Sequence, residues 1–123
     1  MSLSIEIWQK DATTKRAVMK GALDTEAHAE LKEKIDPILA SSDVKALILD
    51  LAGLSYINSA GLQYLFMARR VMEAKRGCLL LLNVQPQVQK VFDIVRALPA
   101  QSVFSNVEEL DRYLARMQQD KGK

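Results

Sequence analysis

A serine at the predicted start of a helix is the residue of this chain whose type and position could carry chemistry. Ser59 belongs to the tetrapeptide Asn58-Ser59-Ala60-Gly61, which joins an apolar run at residues 44–51 to an amphipathic stretch beginning near Ala60. The run predicts a buried strand and the stretch predicts a helix. Because α/β proteins bind and react at the carboxyl ends of their strands, Ser59 could be a helix cap, a nucleophile or a switch.

Catalysis by Ser59 would require a base within hydrogen-bond reach. The one histidine, His28, falls in an earlier predicted helix, and no G-x-S-x-G elbow surrounds Ser59. The chain also lacks the four Cys and His ligands of a structural zinc site, a P-loop and a G-x-G-x-x-G fingerprint. We therefore expect no enzymatic activity, no bound metal and no cofactor.

Capping and phosphorylation both suit a serine at a helix start. Asn58 or Ser59 can accept a hydrogen bond from a free backbone N–H of the first helical turn. A phosphate on Ser59 would meet the same N–H groups and the positive end of the helix dipole. It would add a charge of about −1.5 to −2 to the surface without melting the helix. Such a change suits a switch that works by repelling a partner.

The predicted helix after Ser59 carries two apolar stripes. The first follows i+3/i+4 spacing and comprises Leu62, Leu65, Phe66, Arg69 and Met72. The second comprises Tyr64, Met67 and Val71. One stripe is enough to pack a helix on a sheet, so the second is either an exposed partner surface or a widening of the core face.

The composition is typical of a single soluble globular domain. A chain of 123 residues, 49% of them hydrophobic, is long enough for a core that needs no disulfide or metal. The net charge of +2 and the few aromatic residues argue against a nucleic-acid partner. Cys78, the one cysteine, lies in an apolar run and is expected to be a buried thiol. We find no signal-peptide pattern or membrane span, and expect a cytoplasmic protein.

The first half of the chain predicts a hairpin and then a helix. Alternating apolar residues near the N-terminus indicate a strand with one wet face, joined by a turn at residues 11–14 to a second strand that ends at Gly21. Asp24 or Thr25 can cap the following helix, and Pro37 should kink it or separate its last turn.

The second half predicts strands that alternate with helices. The runs at residues 44–51 and 78–84 are typical of strands buried on both faces, with a loop at residues 52–57. Helices are expected from Asn58 to about Lys75, from Pro86 to a residue before Pro99, and after a cap at Asn106. A short edge strand is expected at residues 102–104.

These elements predict an α/β fold with a mainly parallel sheet. We expect about five strands, the N-terminal one antiparallel, and about four helices. The domain should span residues 1–117, and residues 118–123 should form a polar tail.

The chain resembles the STAS domain family, specifically its stand-alone bacterial anti-sigma-factor antagonists. The resemblance covers nearly the whole chain, and its most specific part is the central motif at residues 56–62. The supporting segments are residues 21–24, 47–51, 84–88 and 98, then 103–104 and 107–110.

The resemblance implies partner switching by phosphorylation. Ser59 would be the phosphoacceptor of an anti-sigma serine kinase that itself binds ATP, and the unphosphorylated chain would bind that kinase and free the sigma factor. A metal-dependent serine phosphatase would restore the unphosphorylated form. Asp50 matches a recurrent acidic position near the same edge of the sheet. The partner-binding positions would be Asp24, Asn58, Gly61, Leu62 and Tyr64.

Asn58 departs from the family pattern, since many members carry Asp immediately before the phosphoacceptor. Asn keeps the capping oxygen but removes the negative charge that a kinase could recognise. Some STAS proteins are not phosphorylated and act as scaffolds or subunits of larger complexes such as transporter assemblies, which is the alternative function. A third hypothesis, a flavodoxin-like small-ligand or enzyme domain, would need a phosphate cradle that the sequence lacks.

Overall fold

Four strands form one mixed sheet in the computed structural model, which describes residues 2–97 and 107–119. They lie in chain order across the sheet as β1 (Leu3–Asp11), β2 (Thr14–Leu23), β3 (Ala46–Ile57) and β4 (Cys78–Leu82). β1 runs antiparallel to β2, while β3 is parallel to both of its neighbours. The predicted α/β fold with an antiparallel N-terminal strand is confirmed.

Five α-helices follow or separate the strands in the described part of the chain. They are α1 (His28–Lys34), α2 (Asp36–Ala40), α3 (Ser59–Ala74), α4 (Pro86–Ala97) and α5 (Val107–Gln119). The break between α1 and α2 lies where Pro37 predicted it. Pro37 occupies the first turn of α2, where a backbone N–H has no intrahelical partner to lose. None of the described helices is long and apolar enough to cross a membrane.

The central strand β3 supplies the middle of the hydrophobic core. Its neighbours on both sides remove it from solvent, and five of its residues are at most 1% exposed: Leu47, Leu49, Leu51, Leu54 and Ile57. Helix α3 covers the sheet with Leu65, Ala68 and Met72, all buried. The outer strand β1 has the predicted wet face, with Leu3 and Ile5 buried between exposed neighbours.

Strands β2 and β3 both extend beyond their predicted ends. β2 passes through Gly21, whose φ of +108° favours glycine, and continues to Leu23. β3 includes residues 52–57, which the sequence predicted as a loop. Leu23 pairs with Ile57, and two register shifts interrupt the ladder between β2 and β3. Such bulges interrupt the alternation of side chains between the two faces of the sheet. Residues 52–57 therefore lack the two-residue periodicity by which a strand is predicted from sequence.

Strand β4 is not buried on both faces as predicted. It ends at Leu82, Cys78 is exposed, and Leu80 keeps 50% of its surface in contact with solvent. Among the described strands β4 pairs only with β3, so its apolar composition does not produce the burial of a central strand. The predicted edge strand at residues 102–104, the cap at Asn106 and Pro99 lie outside the described residues.

The polar tail predicted from residue 118 onward is wrong at its first two positions. Gln118 and Gln119 belong to α5, and Gln118 is only 4% exposed. Its buried amide is hydrogen-bonded to the backbone of Ile57, which compensates the cost of removing a polar group from water. Residues 120–123 lie outside the described part of the chain.

Candidate functional site

Asn58, and not Ser59, caps helix α3. Its backbone is extended, and its Oδ1 accepts a hydrogen bond of 3.1 Å from the N–H of Gly61. Its own N–H donates to the carbonyl of Leu23, which ties the cap to the end of β2. This is the standard arrangement of an N-cap residue. Ser59 is therefore the first residue of the helix, and its hydroxyl is not needed for the cap.

A carboxylate from the last helix reaches the start of α3. The backbone N–H of Ser59 donates to Oδ1 of Asp111 over 2.9 Å, and Ser59 as a whole is 6% exposed. A carboxylate is favoured at this point because the helix dipole and the free N–H groups are positive. The sequence analysis missed Asp111, and no local pattern could have revealed it across a separation of 52 positions.

Gln118 binds the residue before the cap. The Ile57 N–H donates to Gln118 Oε1 over 2.8 Å, and Gln118 Nε2 donates to the Ile57 carbonyl over 2.7 Å. The amide thus satisfies both backbone groups of the last residue of β3, as a neighbouring strand would. Gln118 was predicted as part of a tail, so this contact was also missed.

Asp24 lies on the neighbouring turn, as its predicted capping role requires. Its Oδ1 accepts the N–H of Glu26 over 3.0 Å and caps the single 3₁₀ turn before α1. Burial raises the pKa of Tyr56, and the negative charges of Asp111 and Asp24 raise it further. Both carboxylates therefore act on one tyrosine, three residues before Ser59.

Asp50 does not belong to this site. The sequence placed it at the end of the central strand, but β3 continues for seven more residues to Ile57, a distance of about 20 Å at the usual rise of a strand. Asp50 is 5% exposed and forms an ion pair with Arg16. It also accepts hydrogen bonds from Asn83 Nδ2 (3.2 Å) and the Ala52 N–H (3.1 Å). Its role is to stabilise the sheet.

Three of the predicted partner-binding residues face the interior. A Cβ on Gly61 would lie 2.2 Å from the Leu23 carbonyl oxygen, and Leu62 is 4% exposed in the core. Tyr64 is half-buried and donates a 2.5 Å hydrogen bond to Asp36 Oδ1. Burial raises the pKa of Tyr64, and this hydrogen bond adds to the effect. Gly61 and Leu62 are buried and hold α3 in place, while Tyr64 keeps part of its surface in contact with solvent.

The second apolar stripe of α3 widens the core face. Tyr64, Met67 and Val71 are partly buried and pack against the core cluster. The exposed positions in helical register with Ser59 form a different line, which comprises Gln63, Phe66 and Arg70. We call these three residues the outer line of α3. Phe66 keeps 40% of its surface exposed, so its ring is not part of the buried core.

Fold and site together define a class: a small α/β domain that presents a serine at a capped helix start. Within the described residues no cluster of three or more His, Cys, Asp or Glu side chains could hold a metal.

The chain belongs to the STAS domain family, whose model matches residues 11–110. An anti-sigma F factor antagonist of Lysinibacillus sphaericus is 30% identical over 92 residues, which cover 75% of this chain and 79% of that protein. The family predicted from the motif around Ser59 is confirmed.

Solved structures show the same fold. The unphosphorylated anti-sigma factor antagonist SpoIIAA aligns with 25% identity and a TM-score of 0.63, covering 89% of this chain and 97% of that one. The phosphorylated form of the Bacillus SpoIIAA gives the same identity and TM-score over 99% of its chain. A segment of the murine anion transporter Slc26a9 has a similar fold (21% identity, TM-score 0.59), covering 90% of this chain and 18% of the transporter.

Proposed function

We propose that this chain is an anti-sigma-factor antagonist that works by partner switching. In its unphosphorylated form it binds an anti-sigma serine kinase in the cytoplasm and thereby frees a sigma factor. Phosphorylation of Ser59 by that kinase releases the complex, and a serine phosphatase resets it. The observation that supports the proposal is that Asn58, and not Ser59, caps α3. The Ser59 hydroxyl is therefore not required for the cap and is left for modification.

The electrostatics at the start of α3 favour a phosphate on Ser59. The first turn of α3 contains no acidic residue, and its N-cap is the uncharged Asn58 and not Asp. A phosphate there would meet the positive end of the dipole of a 16-residue helix, where Asp111 already accepts the Ser59 N–H and Asn58 the Gly61 N–H. The sheet and α3 should therefore keep their fold when Ser59 is phosphorylated, and the added charge should act on the surface around Ser59.

The partner surface that we propose runs from Ser59 along the outer line of α3. Phe66 supplies an exposed aromatic side chain of the kind enriched in protein interfaces, and Gln63 and Arg70 flank it with polar contacts. Asp24, which is partly exposed, extends the surface at its edge, beside the buried cap residue Asn58. A phosphate of about −1.5 to −2 charge at the head of this line would have to be desolvated when the partner binds. That cost provides the physical basis of release.

A titration of the purified cognate kinase with variants of Ser59 tests the proposal. Ser59→Ala should bind as tightly as the wild type, while Ser59→Glu should bind at least about tenfold more weakly, because a buried unpaired charge costs more than 1.4 kcal/mol. Ser4→Glu, which adds the same charge at an exposed position of β1, serves as the control and should bind normally. Equal affinity of Ser59→Glu and the wild type would contradict the proposal.

A STAS interaction subunit that is never phosphorylated is the second candidate. The low exposure of Ser59, 6%, favours it, since a kinase must reach the hydroxyl. Phosphopeptide mapping of the protein from its native cell separates the two functions. Ser59 unmodified under every growth condition, together with stable co-purification of a transporter subunit, would establish the second candidate and exclude partner switching.

A further inference from the structure

Helix α5, which contacts the start of α3 at Ser59, is held by a stripe of three residues that spans two helical turns. Asp111, Leu114 and Gln118 follow each other at i, i+3 and i+7 along α5, so they share one face. Leu114 is fully buried in the core, and the two polar residues bind the backbone on either side of Asn58. Helix α5 is therefore docked on the residues that carry the proposed phosphoacceptor.

The contact of Asp111 conflicts directly with a phosphate on Ser59. Asp111 Oδ1 lies 2.9 Å from the Ser59 nitrogen, and the Ser59 Oγ is three bonds from that nitrogen. In any rotamer the carboxylate is thus within about 7 Å of the hydroxyl. A phosphate would repel the carboxylate and compete with it for the same N–H group.

We propose that α5 is a gate over Ser59, held shut by Asp111 and Gln118, and that phosphorylation of Ser59 keeps it open. This inference rests on the proposed function and adds the regulation of the same site. With the gate shut Ser59 is 6% exposed, so a kinase acts on the fraction of molecules whose α5 is released. Once the phosphate is present, Asp111 cannot return to the Ser59 N–H, and the released state is retained.

The negative charges around Ser59 favour the release of α5 when Ser59 is phosphorylated. Asp111 accepts the Ser59 N–H, and Asp111 and Asp24 both raise the pKa of the partly buried Tyr56, so a phosphate on Ser59 would add to negative charge already present around this turn. Asp111 faces the added charge directly through its hydrogen bond to the Ser59 N–H, whereas Asp24 caps the 3₁₀ turn. Release of α5 removes one carboxylate from this cluster.

Hydrogen exchange of the full chain with phosphoserine installed at position 59 during synthesis tests the gate without any kinase. The amides of α5 should exchange at least about tenfold faster than in the unmodified chain, since a charge-assisted hydrogen bond is lost and a repulsion gained. The amides of β1 and β2 should be unchanged. Unchanged exchange in α5, or an equal increase in β1 and β2, would overturn the gate. Ser59→Glu provides a second chain for the same measurement.

A matched pair of variants assigns the effect to Asp111. Asp111→Asn and Glu108→Gln each remove one negative charge from the first half of α5, but Glu108 is exposed and lies one turn earlier. The ratio of exchange rates with and without phosphoserine should shrink at least threefold in Asp111→Asn and persist in Glu108→Gln. Equal ratios in the two variants would overturn the assignment.

The kinase supplies an independent readout of the gate. Asp111→Asn should be phosphorylated several times faster than Glu108→Gln by the cognate kinase, because α5 is released more often. Equal rates would contradict the gate but leave partner switching intact. Failure of Ser59→Glu to weaken kinase binding would remove partner switching, while the exchange result on the phosphoserine chain would still decide the gate.

Discussion

Asp50 shows how one carboxylate can look like a site residue and act as a structural one. It accepts hydrogen bonds from Arg16 on β2, from the Ala52 N–H within β3 and from Asn83 after β4. Three parts of the sheet therefore share one buried charge. The hydrogen bond from Arg16 is the largest cause that lowers the pKa of Asp50, and the N–H of Ala52 and the amide of Asn83 also lower it against the effect of burial.

Replacing Asp50 with Asn should cost about 1–3 kcal/mol of the free energy of unfolding at pH 7, the lower part of the range because Arg16 is partly exposed. The pKa of Asp50 in the folded protein lies below its ordinary value of 3.8. Ionised Asp50 therefore stabilises the fold fully above pH 3.8, and this stabilisation is lost as the pH falls through the lowered pKa. Urea unfolding from pH 7 to pH 3 should show the difference from wild type shrinking on the acid side. The exposed Asp43→Asn should stay within about 0.5 kcal/mol throughout, and an undiminished loss for Asp50→Asn at pH 3 would contradict the assignment.

Helix α3 is positioned by a close backbone approach at its first turn. Gly61 packs so tightly on the end of β2 that a Cβ would lie 2.2 Å from the Leu23 carbonyl oxygen and 3.0 Å from Ile57 Cγ1. Asn58 donates to the same carbonyl over 3.2 Å. The helix start is thus locked to the ends of both strands that precede it, which fixes where Ser59 is presented.

Gly61→Ala should destabilise the protein although alanine is the better helix former. Propensity alone would favour the variant by about 1 kcal/mol, but the clash is with backbone that cannot rotate away, so we expect a net loss of about 1–3 kcal/mol. Gly53→Ala is the matched control, because its nearest atom, at 2.7 Å, is the flexible Lys20 Cγ. Chemical denaturation of both variants tests this. A Gly61→Ala protein at least as stable as wild type would show that the helix start can shift.

At the scale of the whole molecule, the two ends of β3 serve different purposes. The end that leads to Ser59 is held by polar side chains of α5. Near the other end, Lys45 just before β3 donates from its Nζ to the Lys75 carbonyl over 2.8 Å. The Lys75 Nζ in turn donates to the carbonyls of Ile38 (3.1 Å), Leu39 (3.2 Å) and Ser41 (2.5 Å) at the end of α2. The Ile38 carbonyl also accepts the N–H of Ser41 over 3.2 Å, and the lysine adds a charged donor to the carbonyls at the end of the helix. Burial, followed by the positive charge of Lys45, lowers the pKa of Lys75.

Lys75→Met should lower the free energy of unfolding by about 1–3 kcal/mol, because it leaves partly buried carbonyls without their donor while keeping the length of the side chain. Lys32→Met, at an exposed position of α1, is the control and should be nearly neutral. Thermal unfolding measures both. Lys75 lies far from α5, at the opposite end of β3. After correction for the loss of global stability, the hydrogen exchange of the α5 amides should therefore be the same in Lys75→Met as in the wild type. Faster exchange in α5 would show that the two ends of β3 are coupled.

Local features of the sequence determined the order of the elements, the antiparallel hairpin, the break at Pro37 and a capped helix start at Asn58 or Ser59. Each depends on residues within a few positions of one another, where steric limits and side-chain to backbone hydrogen bonds decide the conformation. The choice between Asn58 and Ser59 as the cap needed the structure, because both side chains can accept the same bond.

What the tertiary structure alone decided concerns residues distant in the chain. The exposure of β4 depends on its place at the edge of the described sheet, which an apolar run does not encode. The separation of Asp50 from the site follows from pairs that extend β3 along β2. Asp111 and Gln118 reach Ser59 and Ile57 across 52 and 61 positions, so their contacts exist only once the sheet and α5 are packed together.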